Sequence, residues 1–224
     1  MVNFFIGYDE REIVAYHVCV NSLIQKSSEP LSISPLSLRN FQDYQELHLD
    51  GSNQFIYTRF LVPKLMNYQG WAIYVDGDML FRSDVKGLID YFDESKAVIC
   101  VKHNYKTSQK IKYLGSKNND YPRKNWSSVI IWNCAHPKNK ILTNEKVANS
   151  SGKFLHRFEW LEDNEIGELP IEWNWLVDEF GENTNANLIH WTLGTPCFKD
   201  YKNAPMNNEW FKELEVINSH LEIN

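Results

Sequence analysis

Two carboxylates, Asp76 and Asp78, flank a glycine directly after the apolar run Trp71-Ala72-Ile73-Tyr74-Val75. Such a run predicts a buried strand, and open α/β sheets bind their ligands at the carboxyl ends of strands. Two oxygen ligands one residue apart suit Mg²⁺ or Mn²⁺ and leave coordination positions for substrate phosphates. Gly77 lets a backbone or a diphosphate come close. The alternative interpretation of the triplet is a plain turn after a strand.

Composition narrows the class of protein. With 224 residues, of which 43% are hydrophobic, the chain has enough apolar surface for the core of a single domain, 1–224. A net charge of −6 argues against a nucleic-acid partner, which requires a basic face. The four cysteines have no CxxC spacing, which favours reduced thiols and a cytoplasmic location. We expect no signal peptide and no transmembrane segment, so that a membrane-linked acceptor would be met at the surface.

Hydrophobic periodicity predicts alternating strands and helices, which is typical of a mostly parallel central sheet with helices on both faces. The expected strands are Val2–Ile6, a short one around Leu31 and Ile33, Ala72–Val75, Ala97–Val101 and Ser128–Trp132. The expected helices run from Ile13 to Ile24, over Phe55–Met66 with Pro63 in the first turn or at a kink, over Lys138–Asn149 and over Asn208–Ile217. Between the last two strands, a polar, lysine-rich stretch from Asn104 to Asn125 predicts a long functional or flexible loop.

A histidine marks a second strand end. The apolar segment Asn187-Leu188-Ile189 stops at His190, and a turn with Gly194 and Pro196 follows. A lone histidine is more often a structural residue than a metal ligand. Together with Asp76 and Asp78, however, it would complete a set of three protein ligands, and the imidazole favours Mn²⁺ over Mg²⁺.

The order of these motifs resembles a known family. Phe4-Phe5-Ile6-Gly7-Tyr8-Asp9, Tyr57-Thr58-Arg59, Tyr74-Val75-Asp76-Gly77-Asp78 and the late His190 are similar to GT-A glycosyltransferases of the glycogenin and lipooligosaccharide galactosyltransferase type. The resemblance implies a GT-A fold, a UDP-sugar as donor, Mn²⁺ and retention of configuration at the anomeric carbon. A looser resemblance to a glycosyltransferase domain of large algal viruses implies glycosylation of a viral protein in host cytoplasm.

The resemblance also implies roles for individual residues. The metal ligands would be Asp76, Asp78 and His190. The donor would be bound by Gly7, Tyr8, Asp9, Arg59, Asp76 and Gly194. Within that set Tyr8 would stack on uracil while Asp9 accepts its ring N–H, and Arg59 would brace the acids or reach the phosphates. A strand-end turn is the alternative for Tyr8 and Asp9, and a surface salt bridge is the alternative for Arg59.

Three segments depart from the family pattern. Its Asp-Gln-Asp is here Asp163-Asn164-Glu165, so the catalytic residues would be Asp163 and Glu165, acting as stabilisers of the oxocarbenium-like centre or as a base. Its Asn-Ala-Gly is here Asn125-Trp126-Ser127-Ser128, and its Lys-Pro-Trp is here Thr195-Pro196-Cys197. Arg123 or Lys124 would replace the missing lysine if the long loop covers the site. Trp191 is the expected stacking platform for an acceptor sugar.

The expected function is transfer of a sugar from a nucleotide sugar, in particular a UDP-hexose, to a glycan or protein acceptor. Residues 1–103 would form the nucleotide-binding half and residues 104–224 the acceptor-side half. Two alternatives stay open. One is a phosphatase whose strand-end DxD supplies a nucleophile, although Leu80 departs from the DxDx[TV] pattern of such enzymes. The other is a binding module without turnover. A nucleotidyltransferase fits less well because the N-terminus has no glycine-rich phosphate loop.

Overall fold

The computed structural model describes residues 1–51 and 53–219 of the chain, which form two sheets flanked by helices. The strands are β1 (Val2–Tyr8), β2 (Leu31–Ser37), β3 (Trp71–Val75), β4 (Met79–Phe81), β5 (Val98–Cys100), β6 (Val129–Asn133), β7 (Ile166–Glu168), β8 (Trp175–Leu176) and β9 (Leu188–His190). The α-helices are α1 (Ile13–Lys26), α2 (Val62–Leu65), α3 (Lys86–Ile89), α4 (Asn144–Asn149), α5 (Gly152–His156), α6 (Val177–Phe180) and α7 (Asn207–Ser219).

Eight short 3₁₀ helices connect these elements within the described part of the chain. They are Glu10–Glu12, Leu38–Asn40, Thr58–Leu61, Tyr113–Gly115, Pro137–Ile141, Asp163–Glu165, Ile171–Asn174 and Lys199–Tyr201. The expected helix Phe55–Met66 is therefore a 3₁₀ turn followed by α2, with Pro63 in its first turn. The expected helix Lys138–Asn149 is divided in two, because the first piece ends at Ile141 and the side chain of Thr143 then caps α4 by accepting the N–H of Lys146.

The central sheet has six strands in the order β2-β1-β3-β6-β5-β7. The pairs β1–β2, β1–β3 and β5–β7 are parallel, whereas β6 runs antiparallel to both of its neighbours. The expectation of a mostly parallel sheet is confirmed, with β6 as the exception. Because β6 runs antiparallel to both β3 and β5, these two neighbours point in the same direction. The carboxyl ends of β1, β3, β5 and β7 therefore lie at one end of the sheet, together with the amino end of β6.

Side chains that alternate along the strands fill a core on each face of this sheet. On one face, Phe4 and Ile6 pack with Cys19 and Leu23 of α1. On the other face, Phe5 belongs to the cluster that includes Val62 of α2, Val147 of α4 and Leu155 of α5. Helices thus cover both faces, as expected for the α/β class. Among the described residues, no helix is long and apolar enough to cross a membrane.

A smaller sheet of three strands, in the order β4-β9-β8, joins the central sheet at its ligand-binding end. Strand β4 begins one residue after Asp78, and in its antiparallel pairing with β9 Met79 lies opposite His190. The amide of Trp191 donates to the carbonyl of Asp78 over 3.2 Å, which continues the pairing by one bond. This register brings a histidine 112 positions away in sequence beside the acids.

Candidate functional site

The turn that carries the two acids packs against the end of β1 without room for side chains. A Cβ atom on Gly77 would lie 2.3 Å from the carbonyl oxygen of Gly7, and a Cβ on Gly7 would lie 2.4 Å from the ring of Phe55. The amide of Asp76 donates to the carbonyl of Ser128 at the start of β6 over 3.0 Å. The acids are therefore held in place by backbone contacts to both neighbouring strands.

Asp76, Asp78 and His190 form a buried triad whose candidate ligand atoms all lie within 4.8 Å of one another. Nε2 of His190 is 3.3 Å from Oδ1 of Asp78 and 4.0 Å from Oδ2 of Asp76. Oδ1 of Asp78 is buried and forms no hydrogen bond to the described residues, since its approach to His190 lacks hydrogen-bond geometry. A buried carboxylate oxygen without a donor is costly, and a divalent cation would satisfy it. The residues present thus fit a metal ion with oxygen and imidazole ligands.

The hydrogen bonds of Asn174 determine the tautomer of His190. Nδ2 of Asn174 donates to Oγ of Ser128 over 2.8 Å and to the carbonyl of Asn125 over 3.2 Å. Its Oδ1 therefore faces Nδ1 of His190, 2.8 Å away, and accepts an N–H from it. The lone pair of His190 is then on Nε2, towards the two acids. Sequence reasoning missed Asn174, although the Trp173-Asn174-Trp175 segment places an amide between two aromatic residues just before β8.

Replacing Asn174 by leucine is expected to weaken Mn²⁺ binding by about 10–100-fold, because loss of a ligand's hydrogen-bond partner frees its tautomer and orientation. Asn174→Asp keeps an acceptor for Nδ1 and should retain more of the affinity. Calorimetric titration with Mn²⁺ in the presence of UDP measures both variants. Asn149→Leu on α4 is the matched control, and equal affinities for Asn174→Leu and this control would contradict the positioning role.

Arg59 lies beneath the acids rather than at the surface. Its guanidinium is buried, lies 2.9 Å from Oδ1 of Asp76, and donates to the carbonyl of Ser127 over 2.8 Å. The hydroxyl of Tyr74 donates to the same Asp76 oxygen over 2.6 Å. The surface salt bridge considered for Arg59 is therefore wrong, and the expectation that it braces the acids agrees with this geometry.

The two acids differ in their electrostatic environment. Burial raises the pKa of Asp76, and the charge of Asp78 adds to this, although Arg59 opposes it. Burial would also raise the pKa of Asp78, but His190, when it is protonated, brings it below its usual value. A bound cation would favour the ionised form of both groups.

The structure does not bring all of the expected donor-binding residues to the triad. Asp9 is buried, and its carboxylate accepts hydrogen bonds from the side chain of Arg11 and the amide of Gln54. Although burial opposes it, Arg11 holds the pKa of Asp9 below its usual range. Tyr8 packs edge-on against Tyr16, with ring centroids 5.1 Å apart. Both lie at the sheet end that carries the triad, but neither contacts the three ligands, so their role in base binding stays a prediction.

Gly194 is positioned by an aromatic ring. A Cβ atom there would lie 2.6 Å from the ring of Tyr201, so the glycine allows this close contact. Trp191 is fully buried, and its indole N–H donates to the carbonyl of Pro205 over 3.0 Å. The expectation that Trp191 offers a sugar platform is wrong, because it packs in the core with Trp210 and Leu80.

Asp163 and Glu165 lie at the opposite end of the sheet from the triad. They precede β7, which runs parallel to β5, so its amino end faces away from Asp76. The carboxylate of Asp163 is 88% exposed and pairs with Arg123, and Glu165 pairs with Lys138 over 2.8 Å. The structure gives neither acid a contact with the triad, and their catalytic assignment stays a prediction.

Asp178 is a carboxylate near the triad that sequence reasoning did not single out. It follows β8, whose Leu176 is paired with His190, and it accepts the amide N–H of Leu193 over 3.0 Å. Burial raises its pKa to about 6, while the amide of Leu193 and the charge of His190 act in the opposite direction. Its position just beyond a two-residue strand gave little signal in the sequence.

Residues 104–125, the covering loop, extend across the triad. Lys112, Tyr113, Tyr121 and Asn125 of this loop line the cleft that contains the three ligands, which we call the triad cleft and which measures about 80 Å³. Tyr113 anchors the loop, since its amide donates to the carbonyl of Leu193 over 2.7 Å and its hydroxyl donates to buried Glu12. The expectation that the loop covers the site agrees with this geometry, but its lysine in the cleft is Lys112, whereas neither Arg123 nor Lys124 lines it.

The anchor at Glu12 predicts a pH dependence. Burial, with a further contribution from the charge of Asp78, raises the pKa of Glu12 from 4.5 to about 8. Folding therefore favours the protonated form, and this stabilisation is fully present below about pH 4.5 and is lost as the pH rises to about 8. The free energy of unfolding should fall less steeply over this window in Glu12→Gln than in wild type. Urea unfolding at several pH values measures this dependence of the free energy of unfolding on pH. The prediction would be contradicted if the dependence in Glu12→Gln were as steep as in wild type, or if the exposed control Glu10→Gln reduced it equally.

The chain is similar along almost its whole length to a plant protein. Protein CDI of Arabidopsis thaliana is 42% identical over 223 residues, which cover 96% of this chain and 86% of that protein. No family model matches the chain.

Solved structures share the fold at low sequence identity. The bifunctional glycosyltransferase WbbM has a TM-score of 0.64 at 14% identity over 95% of this chain, which spans about half (51%) of the WbbM chain. The galactosyltransferase LgtC, solved with donor and acceptor sugar analogues, has a TM-score of 0.61 at 10% identity over 96% of both chains. A glycosyltransferase involved in glycosylation of the major capsid of PBCV-1 has a TM-score of 0.52 at 11% identity, covering 96% of this chain and 98% of that chain. The chain thus has the GT-A fold that the resemblance implied.

Proposed function

Because the chain belongs to the family of Protein CDI of Arabidopsis thaliana, and because its fold is that of GT-A glycosyltransferases, we propose that it is a metal-dependent glycosyltransferase. Its donor is a nucleotide sugar, in particular a UDP-hexose, and its acceptor is a glycan or a protein. The triad carries the proposal, since Asp78 has a buried oxygen without a donor and His190 directs a lone pair towards both acids.

Asp76, Asp78 and His190 would hold the ion, which is Mn²⁺ rather than Mg²⁺ because of the imidazole. When bound, the metal supplies positive charge to the departing nucleoside diphosphate. Arg59 orients Asp76 from below. Lys112, the lysine of the covering loop that lines the triad cleft, adds positive charge to the site where the diphosphate would lie.

In the transfer step, the acceptor hydroxyl oxygen forms a bond to the anomeric carbon while the bond from that carbon to the diphosphate oxygen breaks. The electron pair of the broken bond goes to the nucleoside diphosphate, which also takes the hydroxyl proton. This proposal gives retention, and it requires no protein base. Asp178, rather than Asp163 or Glu165, is the carboxylate whose position near His190 suits stabilisation of an oxocarbenium-like centre.

Retention can be read from the product. With an α-linked donor, proton NMR of the first-formed product should give the anomeric coupling of an α-linkage. A β-linked product would show inversion and assign one acid as the base that deprotonates the acceptor.

The phosphatase alternative is less well supported than the glycosyltransferase. Leu80 departs from the DxDx[TV] pattern of such phosphatases, and the solved structures that share the fold are glycosyltransferases. A binding module without turnover would keep the triad and its metal affinity. Its distinguishing property is donor binding without release of nucleoside diphosphate.

One assay separates these functions. The purified protein is incubated with a panel of nucleotide sugars and Mn²⁺, and free nucleoside diphosphate is measured, with p-nitrophenyl phosphate as a parallel phosphatase substrate. We expect diphosphate release from one donor class that depends on the metal. Hydrolysis of the phosphate ester alone would favour the phosphatase, and donor binding without release would favour the binding module.

The remaining expectations are proposals of the same kind. Residues 1–103 supply the acids of the nucleotide-binding half, and residues 104–224 supply the acceptor side. All four cysteines are free thiols, which fits action in the cytoplasm. Glycosylation of a viral protein in host cytoplasm rests only on fold similarity to the PBCV-1 enzyme and stays a prediction.

A further inference from the structure

A second cavity lies beside the triad cleft. It measures about 590 Å³, within the range of about 300–1,000 Å³ that is typical of small-ligand sites. Ile56, Lys112, Tyr121 and His156 line both spaces, so the two are neighbours that share a wall. The covering loop forms one side of this cavity, and the rest is formed by helix α5 with Arg157 and by residues that include Asp50 and Tyr57. A ligand in it would lie next to the bound donor.

The cavity is strongly basic in a chain whose net charge is −6. Among the described residues its lining includes five cations, after which we call it the basic cavity: Lys112, Lys117, Lys124, Lys153 and Arg157. Asp50 is the one acid among the described residues that line it, and its carboxylate accepts a hydrogen bond from the hydroxyl of Tyr57 over 2.6 Å. Cations collected around one space repel each other unless an anion lies between them.

Most of these cations form no direct ion pair within the described part of the chain, although the acids of the triad attract Lys112. Within residues 1–51 and 53–219, Lys112, Lys117 and Arg157 form no ion pair, and Nε of Arg157 is buried without a hydrogen-bond partner. Lys153 forms one exposed pair with Glu159, at 3.4 Å.

Lys124 is buried beside the cavity, and its hydrogen-bond partners are neutral. Its ammonium donates to Oδ1 of Asn118 and to the carbonyl of Asn119, which leaves its third N–H. Burial, followed by the repulsion of Lys112, lowers the pKa of Lys124 to about 8, while the charges of Asp120 and Glu179 act in the opposite direction. An anionic ligand in the cavity would give the ammonium a charged hydrogen-bond partner.

The donor does not account for this charge. The cations that line the triad cleft are Arg59 and Lys112, which lie beside the triad and the site of the diphosphate. Lys117, Lys124, Lys153 and Arg157 line the basic cavity but not the triad cleft. The four remaining cations therefore face a different group from the one that the triad would bind.

We propose that the basic cavity binds the acceptor through an anionic group, a phosphate or a carboxylate carried by the acceptor, with a neighbouring hydroxyl directed to the donor. This inference rests on the proposed function and deepens it by naming the chemical class of the acceptor. The anion comes from a soluble sugar acid or sugar phosphate, or from the headgroup of an anionic lipid, since both present the same charge to the lysines.

The test begins with the donor side, so that the two proposals fail separately. Calorimetric titration with UDP and Mn²⁺ establishes the donor complex, and a lack of binding would contradict the proposed function and with it the acceptor role. The complex is then titrated with glucose 6-phosphate, glucuronic acid and neutral glucose. We expect the two anionic probes to bind at least about tenfold more tightly than glucose, because a charge-assisted contact is worth about that factor.

Charge reversal locates the binding. Lys117→Glu and Lys153→Glu alter exposed side chains, so both variants should fold normally. Each should lower the affinity for the anionic probes by about tenfold or more while leaving the affinity for UDP within about twofold of wild type. Lys26→Glu, at the exposed end of α1, is the matched control and should change neither. If glucose bound as tightly as the anionic probes do, the proposal would be overturned, as it would be by probe binding that neither reversal affects.

A second arm distinguishes the two sources of the anion. Co-sedimentation is measured with vesicles of phosphatidylcholine alone and with vesicles that also contain phosphatidylglycerol. Capture only by the anionic vesicles, lost in Lys117→Glu, supports a lipid headgroup; tight binding of the soluble probes without capture supports a soluble acceptor. Absence of both overturns the proposal.

Discussion

Replacement of Asp76 or Asp78 by asparagine is expected to lower the rate of transfer by about 10²–10³-fold while the fold is retained. Asparagine keeps the size of the side chain but removes an anionic ligand from the triad, and with it the charge that would hold the metal against the diphosphate. The measurement is release of nucleoside diphosphate from the active donor in the presence of Mn²⁺. Thermal unfolding of the same samples shows whether the variants are folded.

Asp90→Asn is the matched control, since Asp90 is an exposed acid after α3 that lies outside the triad. It should keep wild-type turnover. If either triad variant turned over its donor at nearly the wild-type rate, the two acids would not be metal ligands and the proposed function would lose its main support.

Replacement of Arg59 by leucine is expected to destabilise the protein by about 3–5 kcal/mol, because it leaves the carboxylate of Asp76 buried without its cation. For a chain of this size the loss corresponds to a fall in Tm on the order of 10 °C. Arg39→Leu is the control, since Arg39 forms an exposed pair with Glu10 and such pairs contribute about 0–1 kcal/mol. Thermal and urea unfolding measure both variants.

The double variant Arg59→Leu/Asp76→Asn tests the cause. If the uncompensated charge is responsible, removing it should restore part of the stability that Arg59→Leu loses. A double variant no more stable than Arg59→Leu would instead point to lost packing of the guanidinium, which lies 5.0 Å from the centroid of the Tyr74 ring.

Much of the fold followed from apolar runs, because the length and spacing of such runs indicate strands and helices directly. The three residues of the triad were singled out for the same reason, since Asp76 directly follows one such run, Asp78 lies two residues further on, and His190 ends another. Strand direction was not predictable, because the side chains of β6 read the same in a parallel or an antiparallel pairing. Very short strands such as β8 also gave no periodic signal.

The differences at the site arise from contacts between distant segments. Asp163 and Glu165 matched a motif in the sequence, and the direction of β7 places them at the other end of the sheet, so their catalytic role stays a prediction. Trp191 was judged by its neighbour His190, although successive side chains of a strand point to opposite sides. Asn174 and Lys112 act through contacts that only the folded chain creates.

The anchored covering loop has a kinetic consequence. The triad cleft, at about 80 Å³, is small for a nucleoside diphosphate sugar, so under the proposed function the donor would enter after the covering loop has moved. Moving it breaks the two hydrogen bonds of Tyr113, to Leu193 and to Glu12. Loop opening would then be shared by substrate entry and product exit, and such steps often limit turnover more than the chemical step does. Because the same segment also lines the basic cavity, movement of the loop would open the donor space and the acceptor space together.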